Sequence, residues 1–322
     1  MTAEAFPLHQ GYLENFKQEM KITITLLLVF TNLLSAQIKG VVVDENNKPI
    51  PYVNIWIENE NIGTTSEENG SFNLDIKNQD KNLIFSAIGF ETKTIKTLET
   101  KNVILKSTSI KLEDVVINKK PSNEEKEMGY YESSGFRYHM GYFVDGILFK
   151  ISKEEFEKYP FVKELKFKTL SKNSNAKIRL YLVDVNKDDS PSDNLLSDEL
   201  IIEVKKGSRK NIIDLSAKKI AIPENGFYIV FEKLKIEENK YYEDYEYKNK
   251  DGNTIKTKGL QYQPEIPLSP INKEIGWHKR INNKWEKTEK TTIQNPNSYE
   301  NLLMKKYHNK YLVPSVNIII SN

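Results

Sequence analysis

"GVVVDENNKPIPYVNIWIENENIGTTSEENGSFNLDI", residues 40–76, runs through short apolar-polar alternations and breaks each of them at Asn, Pro or Gly. Val53, Ile55 and Ile57 share one face of an extended chain and Tyr52, Asn54 and Trp56 the other, since successive strand side chains point to opposite faces. Phe72, Leu74 and Ile76 repeat the pattern, and further on Leu83, Phe85 and Ala87 repeat it again. Asp44, Asn46 and Asn47 supply a turn, with Pro49 and Pro51 fixing the backbone before the next strand. Gly63 and Gly70 are each predicted to take positive φ at a turn, Asn69-Gly70 is a hairpin signal, and Gly89 is predicted to bend the chain between strands. Each strand carries one apolar face, and a second sheet covers such faces most economically, so the first unit reads as a β-sandwich.

The spacing of that stretch, followed by "LIFSAIGFET" (83–92) and "IKLEDVVI" (110–117), resembles the carboxypeptidase-regulatory-like domain of Bacteroidota. That domain is a transthyretin-like (prealbumin-like) sandwich, and the resemblance assigns it to residues 37–117. It implies a place in the cell envelope, because such domains commonly precede TonB-dependent outer-membrane receptors. There, a segment like "LEDVVINKK" (112–120) joins the domain to the energy-coupling box. The chain beyond it is too short for a plug and a long barrel, so "LEDVVI" is expected to be the closing strand of the sandwich. The family takes its name from a module of metallocarboxypeptidases that accompanies the catalytic domain without supplying metal ligands. That leaves an alternative function: accessory part of, or itself, a secreted hydrolase of the peptidase or glycosidase class.

Export is read from "MKITITLLLVFTNLLSAQ", residues 20–37. Lys21 gives a positive start, 22–34 are mostly apolar, and Ser35 and Ala36 are small residues before a cut at Gln37. Residues 1–36 are therefore expected to be an upstream extension and signal peptide, with translation starting at Met20. The run is too short, and too interrupted by Thr and Asn, for a stable membrane span, so none is expected in the mature chain. Lys and Arg (47) nearly balance Asp and Glu (45), giving a formal charge of +2, which excludes a strongly cationic surface for nucleic acid. With no cysteine, disulfides, thiolate zinc sites and a cysteine nucleophile are excluded.

Residues 118–129, "NKKPSNEEKEMG", are charged, contain Pro121 and lack an apolar period, so they read as an exposed linker. From 130 to 322 a second sandwich is predicted from "FVKELKFKTL", "AKIRLYLVDV", "ELIIEVKKG", "FYIVFEKL" and "SVNIIIS". The order "KIRLYLVDVNKDDSPSDNLLSDELIIEVKKG…NIIDLSAKKIAIPENGFYIVFEKL" resembles the jelly-roll-like domain that follows the regulatory-like domain in many exported Bacteroidota proteins, over residues 135–235. Members of that group mostly have no assigned activity. Past residue 235 the chain departs from the pattern with a Tyr-rich, Asn-rich insertion. The predicted fold class is thus all-β, two sandwiches in tandem.

Candidate sites are few. Asp184, Asn186 and Asp188 alternate in "DVNKDDSPSDN", a spacing at which oxygen ligands can wrap calcium, yet an EF-hand loop's Gly and Glu are here Asp189 and Leu195. A solvated turn is the plain alternative, and no other cofactor is expected. Tyr241, Tyr242 and Tyr245, with Trp277 and Trp285 about an Asn282-Asn283 turn, offer aromatic faces beside polar groups for a glycan or peptide. The plain alternative is cross-strand packing of the two Trp residues and a loop holding the tyrosines. The four histidines, His9, His139, His278 and His308, show no H-E-x-x-H spacing, no G-x-S-x-G elbow appears, and "ESSGF" around Ser133 and Ser134 reads as a strand entry. Glu232 stands as a lone carboxylate, whereas glycoside hydrolysis needs a facing pair. The functional expectation is a non-catalytic binding or assembly module of the periplasm or outer-membrane surface, linked to glycan or nutrient acquisition. Its partner would be an envelope protein or a glycan or peptide ligand.

Overall fold

The computed structural model describes residues 18, 20–21, 36–76, 80–108, 124–131, 144–249, 251–279, 284–292 and 305–322. The expected export segment falls mostly outside these residues, as do "LEDVVI", His9, His139, Ser133, Ser134 and the Asn282-Asn283 turn. The chain is all-β, in two sandwich-like domains. Among the described residues no helix is long and apolar enough to cross a membrane.

The first sandwich contains β1 (Ala36–Val43), β2 (Asn54–Ile57), β3 (Gly63–Thr65), β4 (Ser71–Ile76), β5 (Asn82–Ser86), β6 (Lys93–Lys96) and β7 (Asn102–Ile104). Its layers are β4-β1-β7 and β3-β2-β5-β6, with β7 running parallel to β1. The predicted apolar faces meet between them: Val53, Ile55, Leu83 and Phe85 are fully buried, and Phe72 packs edge-on against Phe85 at 5.5 Å. Each such side chain contributes about 1.5–3 kcal/mol by leaving water. Gly70 has φ +76, and a Cβ there would meet the Val42 carbonyl oxygen at 2.5 Å, so this turn admits only glycine. Gly89 also has positive φ (+82). Gly63 departs from expectation. It lies within β3 opposite Trp56, because the preceding turn is made earlier by Asn59, whose φ is 62.

The second sandwich begins sooner than the sequence indicates. Glu125–Gly129, inside the expected linker, forms β8 and pairs with the last strand, from Ser321↔Glu125 to Asn317↔Gly129. β8 is an edge strand with one exposed face, so its charged alternation resembles a linker in sequence. There follow β9 (Val144–Phe149), a short helix (Lys153–Lys158), β10 (Phe161–Ser171), β11 (Ala176–Val185), β12 (Pro191–Leu195), β13 (Leu200–Val204), β14 (Gly207–Asp214), β15 (Ile220–Ala221) and β16 (Phe227–Lys233). After these come β17 (Lys240–Lys248), β18 (Thr254–Tyr262), β19 (Leu268–Ile271), β20 (Gly276–Lys279), β21 (Trp285–Lys287), β22 (Tyr311–Pro314) and β23 (Val316–Ser321).

One layer is β14-β10-β23-β8 with β15 on β10, and the other is β12-β11-β16-β9-β20-β21 with β13 on β11. Leu165, Phe167 and Ile318 from the first face Leu180, Ile229 and Phe231 from the second, with Phe167 edge-on to Phe231 at 5.1 Å. β11 and β16 are buried on both faces, Arg179, Tyr181, Val230 and Glu232 no less than the core side. An outer sheet face is dry only when something covers it. Here the first sandwich contributes to that cover.

Candidate ligand cleft between the two sandwiches

Three kinds of contact join the domains. Tyr52 packs with Leu234, Ile236 and Ile201 in a small apolar cluster. The segment after β16 is then clamped by hydrogen bonds: Lys235 N donates to Thr65 Oγ1 at 3.0 Å, Lys235 Nζ to the Gly63 carbonyl at 3.1 Å, and Glu237 N to Glu67 Oε1 at 2.9 Å. The third contact is polar and buried. Arg179 Nη1 lies 2.9 Å from Glu232 Oε1 and its Nε 2.9 Å from Glu199 Oε2, while Nη2 donates to the carbonyl of Tyr52 across the interface. Asn54 of the first sandwich donates to the same Glu232 oxygen at 2.6 Å.

Register explains why these groups meet. Arg179, Glu232, Val144, Lys279 and Trp285 form one row across β11, β16, β9, β20 and β21, on the face away from the core. That row floors a cleft of about 340 Å³, which Asn54, Ser86, Ile88, Phe90 and Thr92 close from the first sandwich. Burial opposes the charge of Arg179, but Glu232 and Glu199 outweigh it and hold the guanidinium above its ordinary pKa. Burial raises Glu199, offset in part by Arg179, and burial with Glu232 holds the Tyr181 hydroxyl well above its usual range. Burial lowers Lys279, and Asp193 and Glu232 partly restore it.

On the opposite face of the same sheet Asp145 lies in register with His278, whose Nε2 is 3.5 Å from Glu286 Oε2. Burial pushes the Asp145 carboxyl up to about 6 against the pull of Lys233.

Of the candidates named from sequence, Trp285 lines the cleft. Trp277 shares its sheet face, but in the row of Gly146 and Lys287, so the two tryptophans stand diagonally rather than opposed. Each carries a lysine: Lys279 lies 4.5 Å from the Trp285 ring and Lys287 5.6 Å from that of Trp277. Tyr241, Tyr242 and Tyr245 are not in the cleft, because the Tyr-rich insertion is the β17-β18 hairpin. The acidic loop is a turn in which each predicted ligand has a local hydrogen bond: Asp184 accepts from Val185 N, Asn186 donates to Ser190 and Pro191, and Asp188 accepts from Ser190. Among the described residues no group of three or more His, Asp or Glu could hold a metal ion.

Sequence reasoning passed over Arg179, Asn54, Asp145 and Lys279. Arg179 looked like the polar side of an ordinary alternation. The available signal was a pair: Arg179, set between Ile178 and Leu180 in "KIRLYLVDV", and Glu232, following five apolar residues in "FYIVFEKL".

One family comparison bears on the first sandwich. Residues 38–117 match the family described as the CarboxypepD_reg-like domain, so the resemblance read from the sequence holds over that domain. A TonB-dependent receptor P3 of Formosa agariphila is 30% identical over 110 residues, covering 32% of this chain and 11% of the receptor. The chain thus matches about a ninth of that relative's length. A solved structure of the cysteine protease and lectin-like domains of Cwp84, a surface-layer-associated protein of Clostridium difficile, aligns over 81% of this chain and 45% of its own, at 12% identity. Its TM-score of 0.31 is too low to carry an argument.

Proposed function

We propose that this chain, with a CarboxypepD_reg-like domain as its first sandwich, is a non-catalytic binding module of the bacterial cell envelope whose ligand seat is the interdomain cleft. The observation carrying this reading is the cleft's make-up: both domains line it, and its floor is an ion pair already locked by hydrogen bonds. Glu232, held by Arg179 and Asn54, is committed to structure rather than poised for proton transfer. The walls mix aliphatic and aromatic side chains, Phe90 and Trp285 among them, with hydroxyls, one amide and the charged Asp193 and Lys279, which suits a ligand that is itself amphipathic, such as a glycan or peptide segment. Similarity to part of a TonB-dependent receptor supports export to the periplasm or outer-membrane surface and nutrient acquisition as the setting.

One observation favours the hydrolase alternative: a half-buried carboxyl held near 6 beside an imidazole, Asp145 with His278. A single experiment separates the two. The purified full chain is tested on glycan and peptide panels for both binding and turnover, beside Thr92→Trp, which puts bulk at the mouth of the cleft, and Asp145→Asn. The expected result is binding without turnover, weakened about tenfold or more by Thr92→Trp and untouched by Asp145→Asn. Turnover abolished by Asp145→Asn refutes the binding-module reading, and binding indifferent to Thr92→Trp removes the ligand from the cleft. Fractionation of the native cells checks location, and a cytosolic pool alone refutes the envelope assignment.

A further inference from the structure

β17 and β18 make a two-stranded antiparallel ribbon outside both sandwich layers. Nine residue pairs run without a register shift from Lys240↔Tyr262 to Lys248↔Thr254, a length of about 30 Å. The root is firmly mounted. Asn239, fully buried, accepts from Lys177 N at 2.7 Å and donates to the Lys177 and Leu234 carbonyls at 2.7 and 2.9 Å. Asn173 Nδ2 caps the Lys240 carbonyl at 2.8 Å. Beyond the root the ribbon is exposed, with Tyr242, Tyr247 and Leu260 each more than two-fifths open to solvent.

Among the described residues neither outer edge of the ribbon has a strand beside it. Such edges are usually blunted by proline, charged side chains (lysine above all) or a bulge, because unpaired backbone groups recruit other chains. Between Tyr241 and Tyr247, β17 has no proline, lysine or bulge, and its charges are all acidic, Glu243, Asp244 and Glu246, which repel acidic strands but not basic ones. Its side chains also leave that edge uncovered. The Tyr245 ring lies across to Gly259 on β18, where a Cβ would collide with it, and its hydroxyl bonds Glu243 and Gln261. On the other face Glu246 pairs with Lys256 at 2.8 Å and Asp244 approaches Lys258 at 3.8 Å, so the acids belong to β17 and the bases to β18.

A third strand beside β17 with lysine or arginine at alternate positions would place Asp244 and Glu246 each between two cations. Its intervening residues would face Tyr245 and Tyr247 and so be apolar or β-branched. We propose that the outer edge of β17 is a docking site for an extended segment of a partner protein that alternates basic and apolar residues, taken up as an added strand. A two-fold dimer through this edge would set acid against acid, which disfavours a second copy of the chain as the occupant.

The site is separate from the cleft and is tested separately. The probe is a labelled nonapeptide, TIKTKGLQY, the chain's own residues 254–262, which already has the required alternation. It is compared with the same peptide carrying glutamate for both lysines and with one N-methylated at alternate amides, by fluorescence anisotropy on the full chain. Saturable binding is expected for the first, about tenfold weaker binding for the second and none for the third. In Asp244→Lys/Glu246→Lys/Lys256→Glu/Lys258→Glu, which keeps both cross-strand pairs while exchanging their signs, the charge preference should invert with little change in the melting curve, because all four side chains are exposed. Equal binding of all three peptides, no binding of the first, or a preference that survives the charge reversal overturns the proposal. So does a two-fold dimer through the ribbon in sedimentation velocity.

Discussion

Replacing Arg179 by methionine keeps most of the side-chain volume and removes the charge that holds the domain interface together. In the variant Glu232, 3% exposed, loses the guanidinium and keeps Asn54 as its donor from the first sandwich. Breaking a buried ion pair from one side costs about 3–5 kcal/mol, because the remaining charge is left without its partner. The Tyr52 carbonyl loses its Arg179 donor as well, which is worth about 1–3 kcal/mol if no water replaces it. These terms overlap, so about 4 kcal/mol is expected in total. The assay is urea denaturation of the full chain followed by tryptophan fluorescence. Of the three tryptophans, Trp56 belongs to the first sandwich and Trp277 and Trp285 to the second, so loosening of the interface splits one transition into two. Arg179→Met strands both Glu232 and Glu199; adding Glu232→Gln removes the more deeply buried of the two anions and should recover about half of the loss. A loss below about 1 kcal/mol for Arg179→Met, or no recovery in the double variant, refutes the view that this pair is desolvated and holds the domains together.

The remaining predictions concern other parts of the molecule. Asp145 has its carboxyl raised from 3.8 to about 6, so the folded state binds the proton more tightly than the unfolded chain, and stability falls as pH rises from about 4 to 6. Asp145→Asn should flatten that slope and raise the melting temperature at pH 7, an effect of about 3 kcal/mol at most, readable by calorimetry at several pH values; a variant as pH-dependent as the parent contradicts it. Gly70→Ala should cost about 2–3 kcal/mol in chemical denaturation, since φ +76 and the Val42 carbonyl both oppose a Cβ, and a neutral result would mean the turn relaxes. Asn239→Ala should destabilise by about 2–4 kcal/mol and speed amide exchange at the base of β17 and β18, whereas unchanged exchange would mean the ribbon is held by other contacts.

The two-sandwich architecture was legible because alternation at period two is a local property. Val53, Ile55 and Ile57, or Ile178, Leu180 and Leu182, reveal a one-sided apolar strand whatever the strand later pairs with. The Gly70 turn was legible for the same reason, since Asn69-Gly70 constrains its own backbone. β8 was not, because "EKEMG" becomes a strand only through β23, nearly two hundred residues later.

The cleft had no local signature. Arg179 and Glu232 are separated by 53 residues and occupy what each strand alone presents as its solvent side. Whether a polar residue on that side is wet or buried depends on what covers the sheet, and the cover is another domain. Tyr245 shows the same limit from the other direction. Alone it is an exposed aromatic beside acids, but the structure lays its ring over Gly259, and its hydroxyl donates to Glu243 and accepts from Gln261. Sequence by itself determined which residues form strands and which face of each is apolar, because steric and hydrophobic preferences act within a few residues. Only the tertiary structure decided which polar residues are buried together, since desolvation and ion pairing depend on distances between segments far apart in the chain.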